Sequence, residues 1–243
     1  LITGAGRGFG MEFAKNALNR GDRVAATARD ISTLEPLVAA YNDAVLPLQL
    51  DVTDRDAAFA AVQTAAAHFG QLDIVVNNAG YGLFGTVEEI TPKQLREQLD
   101  VNLFGVLNVT QAALPIMRAQ GSGHIVQIST IGGIVAFPNL GGYHASKWAL
   151  EGLSESLAQE VASQGIKVTI IEPGGFATDW AGSSAVHATP MHEYDGMRAA
   201  MAERSKTTPA QMVGDPVAAG KAILKVVDAE NPPLRAFFGL MPT

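Results

Sequence analysis

Tyr143 and Lys147 stand four residues apart in Tyr143-His144-Ala145-Ser146-Lys147, the spacing that stacks two side chains on one helical face. An ammonium then lies beside a phenol. A cation about 4 to 6 Å from an acid favours its ionised form, so this tyrosine is expected to exchange protons closer to neutrality than a free phenol, which titrates near ~10. Such a group is a candidate general acid and base. Taken alone, the same spacing also suits a half-buried ring beside a solvated lysine tip.

A second candidate is Thr3-Gly4-Ala5-Gly6-Arg7-Gly8-Phe9-Gly10, which leads into a helical pattern. Glycines there allow a tight turn and close approach of a pyrophosphate, and the helix N-terminus offers free N–H groups and partial positive charge. Beyond it, Val24–Ala28 is strand-like and runs into Arg29. NAD-specific sites carry an acid about 20 residues past the glycines for the ribose 2′-OH, whereas an arginine accommodates a 2′-phosphate. Ala28 is not acidic, and Arg29 with Arg7 favours NADP(H), with Asp30 the one residue against it. Three further loops read Asp51-Val52, Asn77-Asn78-Ala79-Gly80 and Pro173-Gly174-Gly175. Asp51 is a candidate partner for adenine, although Asn, Asp and Gly also favour turns for local reasons.

The chain has no cysteine, which excludes disulfides, thiolate nucleophiles and Cys-ligated zinc. His144 lies off the Tyr143–Lys147 face, and His187 and His192 form no metal-ligand pattern, so no metal is expected. Phe137, Trp180, Met191 and Tyr194 are candidates for the wall of an apolar pocket or for ordinary core contacts.

The elements that must position these residues alternate. Strand-like runs fall at Val24–Ala28, Val45–Leu50, Leu72–Val76, His124–Ser129, Ile166–Ile171 and Leu234–Phe238. Helical patterns fall at Gly8–Arg20, Ser32–Tyr41, Asp54–Phe69, Thr91–Arg118, Gly142–Ser163 and Asp215–Ala229. Thr91-Pro92 and Asp215-Pro216 are N-cap signatures, and Gly21, Gly70 and Gly165 stand where helices should stop. This βα alternation predicts a Rossmann-type doubly wound α/β fold with about seven parallel strands and helices on both faces. The ligand crevice should lie at the carboxyl ends of the strands. We read residues 1–243 as a single domain, with a substrate lid around 177–213 beginning in the aperiodic stretch Ala177–Pro209. Leu1-Ile2 runs straight into Thr3-Gly4, so the first strand reads as lacking its leading residues.

Of the 243 residues, 47% are hydrophobic, enough for one substantial core, and no run approaches the ~18 to 20 apolar residues of a membrane helix. A net charge of −7 without a Lys/Arg cluster argues against nucleic-acid or anionic-membrane binding. With no basic-then-apolar leader, the expected setting is cytoplasmic and the expected partner a small molecule.

In their order and at these strand ends, the Gly4, Gly8, Gly10 spacing, the Asn-Asn-Ala-Gly run and Tyr143-x-x-x-Lys147 resemble the classical short-chain dehydrogenases/reductases over essentially the whole chain. The resemblance implies that Tyr143 is the acid/base and that Lys147 lowers its pKa and bonds the nicotinamide ribose. Asn102, in Asp100-Val101-Asn102, would hold the water of a proton relay. Gly4, Arg7, Gly8, Phe9, Gly10, Arg29, Asp51 and Val52 would receive NADP(H), with Asn78, Ala79 and Gly80 along its adenosine side. Pro173, Gly174 and Thr178 would fix the carboxamide. One position departs from the family pattern: Thr130 stands thirteen residues before the tyrosine, where serine is usual. Threonine keeps the hydroxyl. Ser129 is its rival, but adjacent strand residues point to opposite faces and the register favours Thr130.

The implied activity is NADP(H)-dependent hydride transfer between the nicotinamide and the carbonyl or secondary alcohol of a small, largely apolar substrate. The helices starting at Thr91 and Gly142 would pair subunits into a homodimer or homotetramer. Two alternatives are a non-catalytic NADP(H)-binding regulator and an epimerase or dehydratase. The latter relatives space their glycines differently and carry a larger C-terminal domain than this chain has room for.

Overall fold

The computed structural model describes residues 1–176, 178–182, 184–206 and 213–239. Its strands are β1 (Val24–Ala28), β2 (Val45–Gln49), β3 (Ile74–Asn77), β4 (Leu83–Phe84), β5 (Gly123–Ile128), β6 (Ile166–Pro173), β7 (Val186–His187) and β8 (Arg235–Phe238). Its helices are α1 (Gly8–Arg20), α2 (Glu35–Tyr41), α3 (Arg55–Phe69), α4 (Pro92–Leu99), α5 (Val106–Gln120), α6 (Gly141–Val161), α7 (Asp195–Lys206) and α8 (Pro216–Asp228).

β1 pairs in parallel with β2, and β3, β5, β6 and β8 form a second parallel run in that order. Leu1–Thr3 joins the two runs. Ile2 bridges Ala26 on one side and Val76 on the other, and the Ile2 N–H donates to Ala25 O at 2.9 Å. The sheet therefore winds in opposite directions from Leu1–Thr3, and the glycine loop leaves that segment where a doubly wound sheet opens its crevice.

Successive residues of β5 face opposite layers. Ile125 packs with Val62, Val109, Met117 and Val168 under α3 and α5, while Val126 and Ile128 pack with Phe13, Leu37 and Ile171 under α1 and α2. Each fully buried Leu, Ile or Phe contributes roughly 1.5–3 kcal/mol. That layering explains why the central strands read as unbroken apolar runs.

The helix signals hold at the residues that carry them. Thr91 and Gln94 form a reciprocal capping box, the Asp54 and Asp215 side chains cap α3 and α8, and Gly21 (φ 98°) and Gly70 (φ 81°) end α1 and α3. Three readings need correction. The expected continuous helix Thr91–Arg118 is split by a π-helical turn, Asp100–Gly105, between α4 and α5. Contrary to the sequence reading, the combined run Pro92–Gln120 is long and apolar enough to cross a membrane, with a mean hydropathy of 1.2 over its best window. Yet Val109, Ala113 and Met117 on it are fully buried in the core.

The third correction concerns the stretch expected to be aperiodic. It contains α7 and also β7, which pairs in parallel with β4 through Leu83↔Val186 and Phe84↔His187. α7 carries no apolar stripe, which is why periodicity missed it. Ala177, Ser183 and 207–212 of the expected lid lie outside the described residues.

Candidate active site

On α6, residues 143, 147 and 151 share one face, as the spacing required, and all three are buried. The Lys147 ammonium, however, does not bond the phenol. It donates to Ile128 O at 2.7 Å, satisfying a carbonyl at the C-terminal end of β5. Burial draws the Lys147 pKa down to about 8, with Glu151 opposing. Burial also pushes the Tyr143 phenol above its ordinary value, and the Thr130 hydroxyl is the neighbour that opposes this. In this structure desolvation raises the phenol against its neighbours, and Lys147 is not among the groups acting on it, so the pair shares a face without the expected direct contact.

The two candidate hydroxyls point apart. Thr130 Oγ1 donates to Pro173 O at 3.2 Å and accepts from the Gly132 N–H at 3.2 Å, on the Tyr143 side. Ser129 Oγ is buried without a hydrogen-bond partner, and a Cβ placed on Gly133 would lie 2.6 Å from it and 2.9 Å from Glu151 Oε1. Strand alternation therefore sends one hydroxyl into the cleft and the other behind it.

His144 has a positioning part that the sequence did not disclose. Its Nε2 accepts the Phe137 N–H at 2.9 Å, and its Nδ1 lies 2.8 Å from Gly132 O. Those partners require Nδ1–H as donor and a neutral ring, in keeping with a pKa lowered by burial. The imidazole latches the loop that follows Thr130. A glycine-rich turn, Ile131-Gly132-Gly133, in need of an anchor was the available signal.

Asn102 sits in the π turn with no exposed surface. Its Nδ2 donates to Tyr81 O and to Ser146 Oγ, each at 3.1 Å, and its Oδ1 accepts the Tyr81 N–H at 3.2 Å. Ser146 Oγ in turn donates to Tyr143 O at 2.7 Å. Both carboxamide hydrogens are spent on holding the first turn of α6 against the loop after β3. One lone pair of Oδ1 is all the side chain retains for the expected relay water.

At the glycine loop, Gly4 (φ 64°) and Gly8 (φ 53°) adopt left-handed backbone. A Cβ on Gly10 would stand 2.3 Å from Gly4 O and 2.6 Å from Asn78 Nδ2, so only glycine fits. Asn78 Nδ2 donates to Thr3 O (2.9 Å) and Gly4 O (3.1 Å), and Thr3 Oγ1 accepts the Asn78 and Ala79 N–H groups at 3.0 Å. Asn78 and Ala79 thus pin the glycine loop. Gly80 lines the far side, where an added Cβ would lie 3.0 Å from Asn102 Oδ1 and 3.8 Å from Lys147 Nζ.

Arg7 and Arg29 are exposed and form no salt bridge among the described residues. Asp30, which weighed against NADP(H), spends Oδ1 on Ser32 N (3.0 Å) and Ser32 Oγ (2.7 Å). Asp51 is likewise engaged with Thr53 N (3.0 Å) and Oγ1 (2.8 Å). Val52 is buried against Gly105, and Phe9 stacks on Phe13 and meets Phe176 edge to face, so both side chains shape the cradle from behind. Pro173 ends β6, the Gly174 N–H donates to Phe238 O at 2.9 Å, and the Thr178 N–H donates to Phe176 O at 2.8 Å.

Above Tyr143 lies an aromatic roof. Trp180 packs on Tyr143 and, with centroids 5.1 Å apart, on Phe84, which stacks on His187. Phe137 flanks it beside His144. Met191 and Tyr194 act elsewhere. The Met191 N–H donates to Glu89 Oε1 at 2.7 Å, Arg198 Nη1 reaches the same oxygen at 2.6 Å, and Tyr194 donates to Glu88 at 2.6 Å, clasping α7 to the segment before α4. His192 is an exposed neighbour of Glu193.

A family model described as short chain dehydrogenase matches residues 1–188. Oxidoreductase BOA17 of Botryotinia fuckeliana is 44% identical over 240 residues, spanning 98% of this chain and 88% of that protein. A solved short-chain dehydrogenase from Streptomyces avermitilis superposes with a TM-score of 0.89 at 40% identity, covering 98% of this chain and 88% of that one. ElxO, solved with NADP bound, superposes with a TM-score of 0.82 at 28% identity, covering 97% of this chain and 93% of that one.

Proposed function

Because this chain belongs to the short-chain dehydrogenase/reductase family and is an oxidoreductase of that family, we propose that it uses NADP(H) to interconvert the carbonyl and secondary alcohol of a small, largely apolar substrate. The observation that carries this reading is a buried Tyr143 beside the Thr130 hydroxyl, at the crevice end of the sheet.

The residues present fit the dinucleotide. The left-handed backbone at Gly4 and Gly8 opens α1, with no atom within 4 Å of where a Cβ on Gly8 would stand, and Arg7 and Arg29, exposed and without a salt bridge among the described residues, would be the cations for a 2′-phosphate. Asp30 commits one carboxylate oxygen, Oδ1, to its own cap at Ser32, which weakens it as an acceptor for a ribose 2′-hydroxyl. NADP bound to ElxO supports the same choice. When bound, the dinucleotide supplies or accepts the hydride.

The chain's own residues handle the proton and the oxygen. Tyr143 would donate to the carbonyl oxygen, and Thr130 would join it once its one hydroxyl hydrogen turns from Pro173 O, together drawing charge from the carbon while Tyr143 delivers the proton as the oxygen becomes an alkoxide. Lys147, with its pKa near 8, is poised to hold the ribose and to carry positive charge close to the phenol. Asn102 and Ser146 hold the backbone of Tyr143 in place. The aromatic roof excludes water and favours apolar substituents next to the carbonyl. Phe104 on the π turn (50% exposed) and Trp148 on α6 (52% exposed) support a homodimer or homotetramer built on these helices.

NADPH oxidation, followed by nicotinamide absorbance over a panel of ketones and aldehydes of graded apolarity, tests the reading. Turnover with NADPH well above that with NADH is expected. NADPH that binds but is never oxidised would point to a regulator, and isomerised product with retained cofactor to an epimerase.

A further inference from the structure

One turn beyond Lys147, on the same buried face of α6, Glu151 is 5% exposed and meets Glu172 of β6, which is fully buried. Arg235 of β8 lies between them, its Nε 3.2 Å from Glu151 Oε2 and 3.2 Å from Glu172 Oε1, while its Nη2 donates to Glu155 Oε2 at 3.2 Å. The single Nε–H is directed at Glu151. Both oxygens of Glu172, Oε1 of Glu151 and the hydroxyl of Ser129 are therefore buried without hydrogen-bond partners.

Two buried carboxylates beside one guanidinium, with the half-exposed Glu155 on its far side, cannot both be ionised at this depth without strong mutual repulsion and lost hydration. A proton on one of the buried pair removes both penalties. It gives Glu172 a donor, gives Glu151 an acceptor role, and leaves Arg235 balanced by the remaining charges. Burial, with the charge of Glu151, raises the Glu172 carboxyl to about 7. The charged groups facing the pair are Lys147 and Glu155 on α6 and Arg235 on β8, and Ser129 presents its hydroxyl from the end of β5.

We propose that Glu172 carries a proton that it donates to Glu151, and that Glu151, left ionised, is a positioning residue for Lys147, keeping its ammonium charged over the pH range in which the site works. This rests on the redox reading above, in which Lys147 serves the cofactor. Glu151 is the group that opposes the effect of burial on Lys147, so neutralising it leaves burial unopposed.

The test uses the full chain with Glu151→Gln and Glu172→Gln, reading NADPH affinity by nicotinamide fluorescence across pH and buried protonated carboxyl by infrared spectroscopy. Glu151→Gln should move the basic limb of NADPH binding about one pH unit lower. Glu172→Gln should leave that limb in place while removing the infrared band that the unmodified protein shows at neutral pH. A Glu151→Gln limb that superimposes on that of the unmodified protein would overturn the proposal. So would the absence of any protonated-carboxyl band from the unmodified protein, a measurement that needs no variant to fold. The two readings fail separately: NADPH oxidised normally with an unshifted limb removes this inference alone, whereas a protonated Glu172 in a protein that turns over no carbonyl removes the redox reading alone.

Discussion

The indole of Trp180 lies 4.9 Å from the phenol of Tyr143, centroid to centroid, with the rings tilted by 54°. The proton donor is therefore covered by a hydrocarbon surface that any substrate must share. A Cβ on Gly82 would stand 2.6 Å from the same indole, so the roof is held at its back as well.

Trp180→Ala should lower kcat/KM for compact apolar carbonyls about tenfold or more and penalise bulky ones less. Steady-state kinetics over a size series measures this. An equal loss at every size would place the indole outside the pocket.

Tyr143→Phe removes the transferable proton and should reduce turnover by a factor of order 10² or more. NADPH affinity, followed by fluorescence titration, should be almost unchanged. Near-normal turnover would remove the acid/base role.

Thr130→Val deletes the hydroxyl facing Tyr143, and Ser129→Ala deletes the one behind it. Turnover should fall at least about tenfold for the first and stay within about twofold for the second. Kinetics at matched cofactor saturation tests the contrast, and the opposite order would exchange their assignments.

Ala28→Asp combined with Arg29→Ala restores an acid and removes a cation at the end of β1. The ratio of kcat/KM for NADPH to that for NADH should swing toward NADH by about tenfold or more. An unchanged ratio would show that the phosphate is recognised elsewhere.

Glu89 accepts backbone N–H groups from Met191 and Thr86, which with Arg198 hold its carboxyl at about 2 instead of the ordinary 4.5. A depressed folded pKa stabilises above the ordinary value and loses that contribution as pH falls from 4.5 toward 2. Amide hydrogen exchange at Met191, corrected for its intrinsic pH dependence, should show protection lost across that window. In Glu89→Gln, protection should already be reduced at neutral pH and KM raised more than kcat is lowered.

The sheet and most helices were legible because their signals are local. β-branched runs such as Ile166–Ile171, the Thr91–Pro92 cap and the stops at Gly21 and Gly70 act within a few residues of where they are written. The π turn was not legible, since Asp100–Gly105 is apolar enough to continue a helix and its register follows from the fit of Asn102 between Tyr81 and Ser146. The β4–β7 ribbon escaped for a similar reason: two residues from each of two distant segments leave no periodic trace.

In the site, Tyr143-x-x-x-Lys147 announced which residues share a face but neither what each one bonds nor the direction of its pKa. That depends on depth, and the burial that raises the phenol and lowers the lysine is a property of the packed sheet. The tasks of Asn78 and His144 were equally hidden, because each bonds backbone groups whose positions only the fold defines. Asp30 shows the converse. Its identity weighed against NADP(H), while its bonds to Ser32 commit one carboxylate oxygen locally.

A π turn closes its hydrogen bonds over one residue more than an α-helix does, so Asp100–Gly105 acts as an extra count in the winding of Pro92–Gln120. Losing a single residue there would let the helix run on unbroken with α4 and α5 near their present phase, since six residues wound at the π pitch turn roughly as far as five in an α-helix, but the widened turn that presents Asn102 would be gone. Asn102 would leave Tyr81 and Ser146, and the base of Tyr143 would lose its tether. Gene variants that shorten this helix by one codon should therefore fold acceptably and still fail, and among substitutions in the turn Asn102→Ala should come nearest to the same loss.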